Sequence, residues 1–559
     1  MFKQLLFLLD FKRKRFLIFV IFLILIGTVI EIVALANIYK LIEILIDQNK
    51  EIFNISVISK EYNFEKVLLI KILTISLVTI YILKFFFFNL LNYLQFNYVY
   101  NFRHYISKRL ISRYMRSNYL DFIKKKYSEM VRNIDKEAAI SADGVLLNII
   151  SIFTEVVVLF GILIFLLFVQ FKSTLIIILF LFFLFFSFFF IFKKKIYNYG
   201  KTKQKILAEF LKNILESING YKDIKIYNKE KYFVEKFAIT SKNLANISTK
   251  QIFTYSLSRY SIELILILMI SIFIFYSINT NKDLDSIFLA IGIYAAAAFR
   301  IIPSLNKIIG STQRIESSKP SVNLIYNELK NNFSTIIDNN IKSFTFNKSI
   351  KFENISFNYP LSSEKILENI NLEIKRNEIT AIVGRSGCGK STLVDVISGL
   401  IKPVSGNIFI DSKKINDEYD QISSNISYLS QKFFLLNDTI LKNILFGSDE
   451  KNVNHKLINK ILLELQIENF IKGSPLGLNK IVGESGVELS GGQGQRIALA
   501  RCFYADRDIV ILDEATSALD VATENSILNL IQKMKKNKAI IIVSHRENVL
   551  EFADKIIKL

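Results

Sequence analysis

The stretch TLIIILFLFFLFFSFFFIF, Thr174–Phe192, contains no charged residue. Nothing else in the chain constrains the fold as strongly. Hydrocarbon offers no water to satisfy backbone N–H and C=O groups, so such a stretch must be helical, and about 20 apolar residues cross roughly 30 Å of lipid. Five further runs of this kind precede residue 310: Phe16–Tyr39, Val67–Leu94, Val145–Gln170, Tyr255–Ile278 and Ser286–Ile308. The 559-residue chain is 51% hydrophobic. The expectation is an all-α, six-helix transmembrane domain over residues 1–310.

A formal net charge of +21 suits nucleic acid, an anionic membrane surface, or the basic cytoplasmic loops of a membrane protein. Its placement decides among them. FKRKR (Phe11–Arg15) precedes the first span, KKK (Lys193–Lys195) follows the fourth, and the segment after the second is rich in Lys and Arg from Arg103 to Lys136. The connections after the third and fifth spans are short and nearly neutral. The N-terminus and segments 95–144 and 193–254 therefore face the cytoplasm, and six spans return the chain there. The charge reads as topology, and no nucleic-acid partner is expected.

Both long cytoplasmic segments have helical composition and continue their flanking spans. YLDFIKKKYSEM (Tyr119–Met130) and NGYKDIKIYNKE (Asn219–Glu230) read as their turns, with aromatic residues among charges, as in a short helix that docks on another domain. Residues Leu41–Lys66 read as a short amphipathic helix at the outer membrane face. Charge within spans is costly and tends to face a cavity or a partner. Glu31, Lys71, Lys84, Glu155, Glu263 and Arg300 lie in or near the spans. Lys71 and Lys84 are long enough to snorkel. Glu31, Glu155 and Arg300 remain as candidate substrate-cavity residues, with interhelical ion pairing the competing reading.

A polar linker, 311–347, leads to a second domain, 348–559. ITAIVGRSGCGKSTLVDVISGL reads as strand, glycine loop and helix. Gly384, Gly389, Lys390 and Ser391 fit G-x-x-x-x-G-K-[ST], in which backbone N–H groups wrap phosphates, the lysine reaches the β and γ phosphates and the serine ligates Mg²⁺. The full phosphate-binding set is Gly384, Ser386, Gly387, Cys388, Gly389, Lys390, Ser391 and Thr392. DIVILDE (Asp508–Glu514) places Asp513 at a strand end to hold Mg²⁺ and Glu514 to polarise the attacking water. His545, in IIVSHRE, is suited to contact the γ-phosphate. Gln431, in ISYLSQK, suits Mg²⁺ or its water, and Tyr359 suits stacking on a base. Cys388 and Cys502 read as packing residues, and three scattered histidines suggest no separate metal site.

With GRSGCGKST, Gln431, LSGGQ (Leu489–Gln493), ILDEATSALD and His545 in this order behind six spans, the chain resembles the ATP-binding cassette exporters of type IV architecture over essentially its whole length. The resemblance implies an α/β cassette that hydrolyses ATP, and two cassettes closing head to tail. Ser490, Gly491, Gly492 and Gln493 of one copy would cap the γ-phosphate held by Lys390 of the other, with Asp520 at that interface. One cassette per chain then implies a pair, most simply a homodimer with two competent sites. AFRIIPSLNKIIGS (Ala298–Ser311), Glu31, SVNLIYNEL (Ser321–Leu329) and LKNILESINGYKDIKIYNKE (Leu211–Glu230) are similar to bacterial flippases of polyprenyl-diphosphate-linked oligosaccharides. That implies outward movement of a glycolipid across the bacterial inner membrane, both termini cytoplasmic, with Arg300 meeting the diphosphate. A lipid or lipid A-type flippase, or a peptide or drug exporter, are the alternatives.

Overall fold

Five of the six apolar runs lie within a longer helix, and the third, Val145–Gln170, begins in a π-helical stretch that leads into a helix over Leu147–Val169. The structure, a computed structural model, describes residues 1–46, 52–57, 60–169, 171–279, 284–330, 344–360, 364–415, 419–483, 486, 488–516, 520–544 and 546–559. The helices of the first part are α1 (Phe2–Leu8), α2 (Phe11–Ile46), α3 (Lys66–Met115), α4 (Tyr119–Ile123), α5 (Tyr127–Arg132), α6 (Leu147–Val169), α7 (Phe171–Asn219), α8 (Tyr221–Ile226), α9 (Glu230–Asn279) and α10 (Leu284–Lys330). Two π-helical stretches, Asn133–Glu137 and Ile140–Leu146, join α5 to α6. The spans thus run on as long polar helices through the basic segments, and each expected turn contains a short helix, α4 or α8.

Two expectations change. Between α2 and α3 the chain forms an antiparallel hairpin, β1 (Ile52–Val57) with β2 (Lys60–Glu65), in place of the amphipathic helix. IFNISV and KEYNFE alternate apolar with polar residues, a strand period that overrides the mixed composition. The sixth helix also does not end near residue 310. It continues through Pro303 and Pro320 to Lys330, taking in the first half of the expected linker. Its lower half buries Gln313, Glu316, Ser318 and Ser321, so apolar density falls while the helix persists. Small residues let α10 approach its neighbours: a Cβ on Gly200 of α7 would lie 1.9 Å from the Ser317 carbonyl oxygen, and one on Gly144 would lie 2.2 Å from the Ser318 hydroxyl.

The chain divides into two units, Met1–Met115 with Lys124–Asn332, and Arg116–Ile123 with Phe333–Leu559. The second unit contains an antiparallel sheet, order β4-β3-β6-β7, from β3 (Ser349–Phe357), β4 (Leu367–Lys375), β6 (Ser405–Ile410) and β7 (Lys413–Ile415). It also contains a parallel sheet, order β11-β5-β10-β9-β8, from β5 (Ile379–Val383), β8 (Ile426–Leu429), β9 (Ile509–Asp513), β10 (Ala539–Val543) and β11 (Lys555–Lys558). β9 and β10, IVILD and AIIIV, are buried at every position, as strands covered on both faces require. The helices of this unit are α11 (Lys390–Ile397), α12 (Ile440–Leu445), α13 (His455–Glu464), α14 (Glu468–Lys472), α15 (Gly491–Tyr504), α16 (Val521–Met534) and α17 (Glu547–Leu550). Leu120 of α4 packs against the core formed by β3, β4, α11 and the parallel sheet, so this short helix belongs to the second unit.

Candidate functional site

Four adjacent parallel strands deliver the expected residues to one edge of the sheet. Val543 pairs with both Ile382 and Asp513, and Leu429 pairs with Leu512. The carboxyl ends of β5, β10, β9 and β8 therefore lie level, where ligands bind in sheets of this kind. β5 runs into the glycine loop. Gly387 and Gly389 sit at φ 85° and 97°, left-handed conformations that a side chain disfavours. A Cβ on Gly384 would meet the Cys388 sulfur at 2.6 Å. The Lys390 ammonium donates to the carbonyls of Gly384 and Arg385, each at 2.9 Å, and so lies across the loop. α11 begins at Lys390 and aims its first N–H groups at the same place. Ser386 and Ser391 are exposed, Cys388 half-buried and Thr392 buried. Neither cysteine is in a disulfide, and burial pushes the Cys502 thiol up to about 12, consistent with a packing role.

Asp513 is 8% exposed. Burial raises its carboxyl above the usual range and the Glu514 charge adds to this, while the Tyr428 hydroxyl and Lys390 oppose it. Glu514 adopts φ 49°, rare for a residue with a side chain. Three hydrogen bonds hold it there. Its N–H donates to the Val543 carbonyl at 3.0 Å, its carbonyl accepts from the Gln495 amide at 3.1 Å, and its carboxylate accepts from the Gln431 amide at 2.8 Å. The structure thus brings Gln431 and Glu514 together. Tyr359 packs edge-on against Phe357 at 5.2 Å between ring centres and is half-buried. His545 lies outside the described residues.

Ser490 is the N-cap of α15 and forms a capping box: its hydroxyl accepts from the Gln493 N–H at 3.3 Å, and the Gln493 side chain accepts from the Ser490 N–H at 2.9 Å. Gly491 and Gly492 form the first turn behind it. No described hydrogen bond joins these four residues to the phosphate loop of the same chain. Asp520 caps α16 through the Thr523 N–H at 3.2 Å, and that bonding lowers its carboxyl.

The sequence reading missed three residues here. Gln495, two positions past the signature glutamine, is 3% exposed and holds the Glu514 carbonyl. Asp395, on α11, is pushed up to about 6 by burial and by the charge of Asp513. The Tyr428 hydroxyl bonds Asp513, and burial beside that carboxylate and Asp395 raises it well above an ordinary phenol. All three signals are tertiary.

The intramembrane candidates also converge, in the first unit. Arg300 pairs with Glu31, and its guanidinium lies 3.4 Å from Glu155. Lys84 pairs with Glu31 at 2.7 Å and Lys307 with Glu155 at 2.9 Å, while Ser304 donates to Glu155 at 2.7 Å. Glu31 and Glu155 are 2% and 4% exposed. This is a buried ion network joining α2, α3, α6 and α10. Lys84 does not snorkel: the Glu31 carboxylate is its partner. Lys71 is exposed, and Glu263 pairs with Arg259 one turn away at 3.1 Å.

Known proteins bear on both units. A family model described as "ABC transporter transmembrane region" matches residues 17–287, and one described as "ABC transporter" matches 367–517. Similar curated proteins include an ATP-dependent lipid A-core flippase of Photorhabdus laumondii, 28% identical over 66% of this chain and 63% of that protein. Another of that description, from Nitrosococcus oceani, is 32% identical over 62% of this chain and 58% of its own length. A third, from Psychrobacter cryohalolentis, is 28% identical over 77% of this chain and 70% of its own. The first of these matches thus spans less than two thirds of its relative. A solved bacterial Atm1-family ABC exporter with ATP bound superposes with a TM-score of 0.82 at 20% identity, covering 98% of this chain and 93% of that one. The fold is that of the type IV exporters.

Proposed function

This chain belongs to the ABC transporters, multi-pass membrane proteins with an ATP-binding domain, and on that premise we propose that it hydrolyses ATP to move a lipid across the membrane as a pair of identical chains. One observation carries the reading. A level sheet edge holds a phosphate loop, Asp513 and Glu514, in a chain whose other unit is built of membrane-length helices.

The chemistry follows from the residues. Backbone N–H groups from Ser386 to Thr392 and the Lys390 ammonium hold the β and γ phosphates. Tyr359 stacks on the base. Asp395, Asp513 and Glu514 crowd negative charge near one lysine, and burial together with that crowding keeps the Asp395 and Asp513 carboxyls raised. A divalent cation relieves it, so Asp513, the Ser391 hydroxyl and Gln431 fit Mg²⁺. When bound, Mg²⁺ neutralises charge on the phosphates as the bond breaks. Glu514, held at its carbonyl and N–H, accepts a proton from the attacking water while Gln431 steadies its carboxylate. His545 contacts the γ-phosphate. The capping box leaves the Ser490 hydroxyl proton free to donate, so Ser490, Gly491, Gly492 and Gln493 of a second copy complete the site, with Asp520 beside them.

The cargo we infer is a lipid with a phosphorylated, sugar-bearing head. The flippase descriptions of the relatives support that class, to which lipid A-type and polyprenyl-diphosphate glycolipids both belong. Placement of the basic segments supports an inner-membrane protein with cytoplasmic termini. The substrate role expected for Arg300 requires a head group to displace Glu31 or Glu155, so Arg300 is better read as the centre of the ion network. The test is ATP turnover in proteoliposomes with each glycolipid added in turn. Stimulation by one identifies the cargo. Turnover indifferent to both, with Lys390→Ala still inactive, leaves an ATPase and removes this lipid class.

A further inference from the structure

We propose that Glu524, on α16, is a positioning residue for ATP hydrolysis: through Arg546 it holds the turn that carries His545. The proposal rests on the reading that His545 contacts the γ-phosphate. β10 ends at Val543, level with Asp513 and Ile382, so the residues that follow it stand at the sheet edge where the phosphate loop lies. Both ends of the turn 543–546 are gripped by residues that follow β9. At one end the Val543 carbonyl accepts the Glu514 N–H at 3.0 Å. At the other, one terminal nitrogen of Arg546 donates to both Glu524 carboxylate oxygens, each at 3.0 Å. Within the turn, the Ser544 hydroxyl accepts from the Arg546 N–H at 3.1 Å. His545 is the residue between Ser544 and Arg546 in the chain, so these bonds hold its neighbours on either side.

Burial sets Glu524 apart from an ordinary acid at a helix start. A glutamate in the first turn, as Glu524 is in α16, gains from the helix dipole while lying at the surface. Glu524 is instead 2% exposed, and Ser544 is 5% exposed. A buried carboxylate costs desolvation that a paired, hydrogen-bonded cation must offset. Arg546 supplies that cation from a side chain that is 42% exposed. The pair therefore ties a turn at the surface to an anchor inside the cassette. The anchor itself is firm. The Glu524 N–H donates to the Asp520 carbonyl at 2.9 Å, so the carboxylate stands on a closed helical turn rather than on a loop.

The test reads kcat and KM for ATP on the full-length protein in proteoliposomes. Glu524→Gln keeps the size of the side chain and removes its charge. Its kcat falls about tenfold, as for the loss of a hydrogen bond between charged groups, while KM stays within about twofold. Arg546→Met reproduces that loss, and Arg546→Lys, which keeps the cation, retains most of the turnover. Glu524→Gln/Arg546→Met leaves no buried charge unpaired, which keeps the test open if a single variant unfolds, and it costs no more than either change alone. The decisive readout is the His545→Ala background. There Glu524→Gln lowers kcat by less than about twofold, because the residue it positions is gone. A packing role alone gives the same loss in both backgrounds, and that result overturns the proposal. Undiminished kcat in the double variant overturns it too, as does a rise in KM that matches the fall in kcat. Full turnover in His545→Ala overturns the role of His545 as well. A large loss in His545→Ala beside undiminished turnover in Glu524→Gln leaves that role standing and removes only the positioning.

Discussion

Replacing Arg300 with Met tests the intramembrane ion network. The substitution keeps the apolar stem and removes the guanidinium between two carboxylates that are 2% and 4% exposed. Breaking a buried pair by removing one partner typically costs about 3–5 kcal/mol, because the remaining charge is left uncompensated. Here both carboxylates lose a partner, but each keeps a lysine, Lys84 at 2.7 Å and Lys307 at 2.9 Å. Those lysines place the expected cost near the low end, about 3 kcal/mol. At about 2–4 °C per kcal/mol for a large unit, the melting temperature in nanodiscs falls by roughly 6–12 °C. Adding Glu31→Gln removes one stranded charge and recovers at least about 1 kcal/mol, a coupling visible in the double-mutant cycle. Lys307→Met costs less, because that side chain is 52% exposed. A fall below about 2 °C for Arg300→Met, or strictly additive loss in the double variant, refutes the network as a structural element.

Three further outcomes follow from the cassette. Gln495→Ala frees the Glu514 carbonyl; kcat falls about tenfold, as one buried hydrogen bond is lost, while the KM for ATP stays, and an equal loss in ATP binding contradicts a positioning role. Asp395 has a folded value of about 6, above its unfolded value, so the native protein binds extra protons between about pH 4 and 6 and loses stability as pH rises through that window. Without nucleotide or Mg²⁺, Asp395→Asn therefore melts above wild type at pH 7.5 and level with it near pH 4; a constant gap refutes the assignment. Leu120→Asp places a charge in the apolar contact of α4 with the cassette core and is expected to abolish lipid-stimulated ATP turnover while sparing basal turnover, read from the two rates in one preparation.

What the sequence made legible was local. GRSGCGKST dictates its loop because glycines and a helix start are adjacent in the chain, and Thr174–Phe192 dictates a helix because lipid permits little else. Asp513, Gln431 and Glu514 were assigned from strand ends, and the parallel sheet sets those ends level. Pairings between distant residues were not legible. Lys84 looked like a snorkelling lysine because its partner, Glu31, sits on another helix. Gln495 lies two residues past LSGGQ, yet its role appears only when α15 meets the end of β9. The extended α10 was read as linker because polar residues are interleaved with the apolar ones it buries, and burial of Gln313 or Glu316 is decided by neighbours on other helices. The hairpin after α2 was present as a period-two pattern, hidden by its charges.

The most direct test of the account measures ATP turnover and lipid movement on the same proteoliposomes, for wild type and Glu514→Gln. Loss of a positioned base predicts at least a hundredfold fall in turnover, with ATP still bound and lipid movement stopped. Lipid movement that continues at the wild-type rate in Glu514→Gln would contradict an ATP-driven transporter.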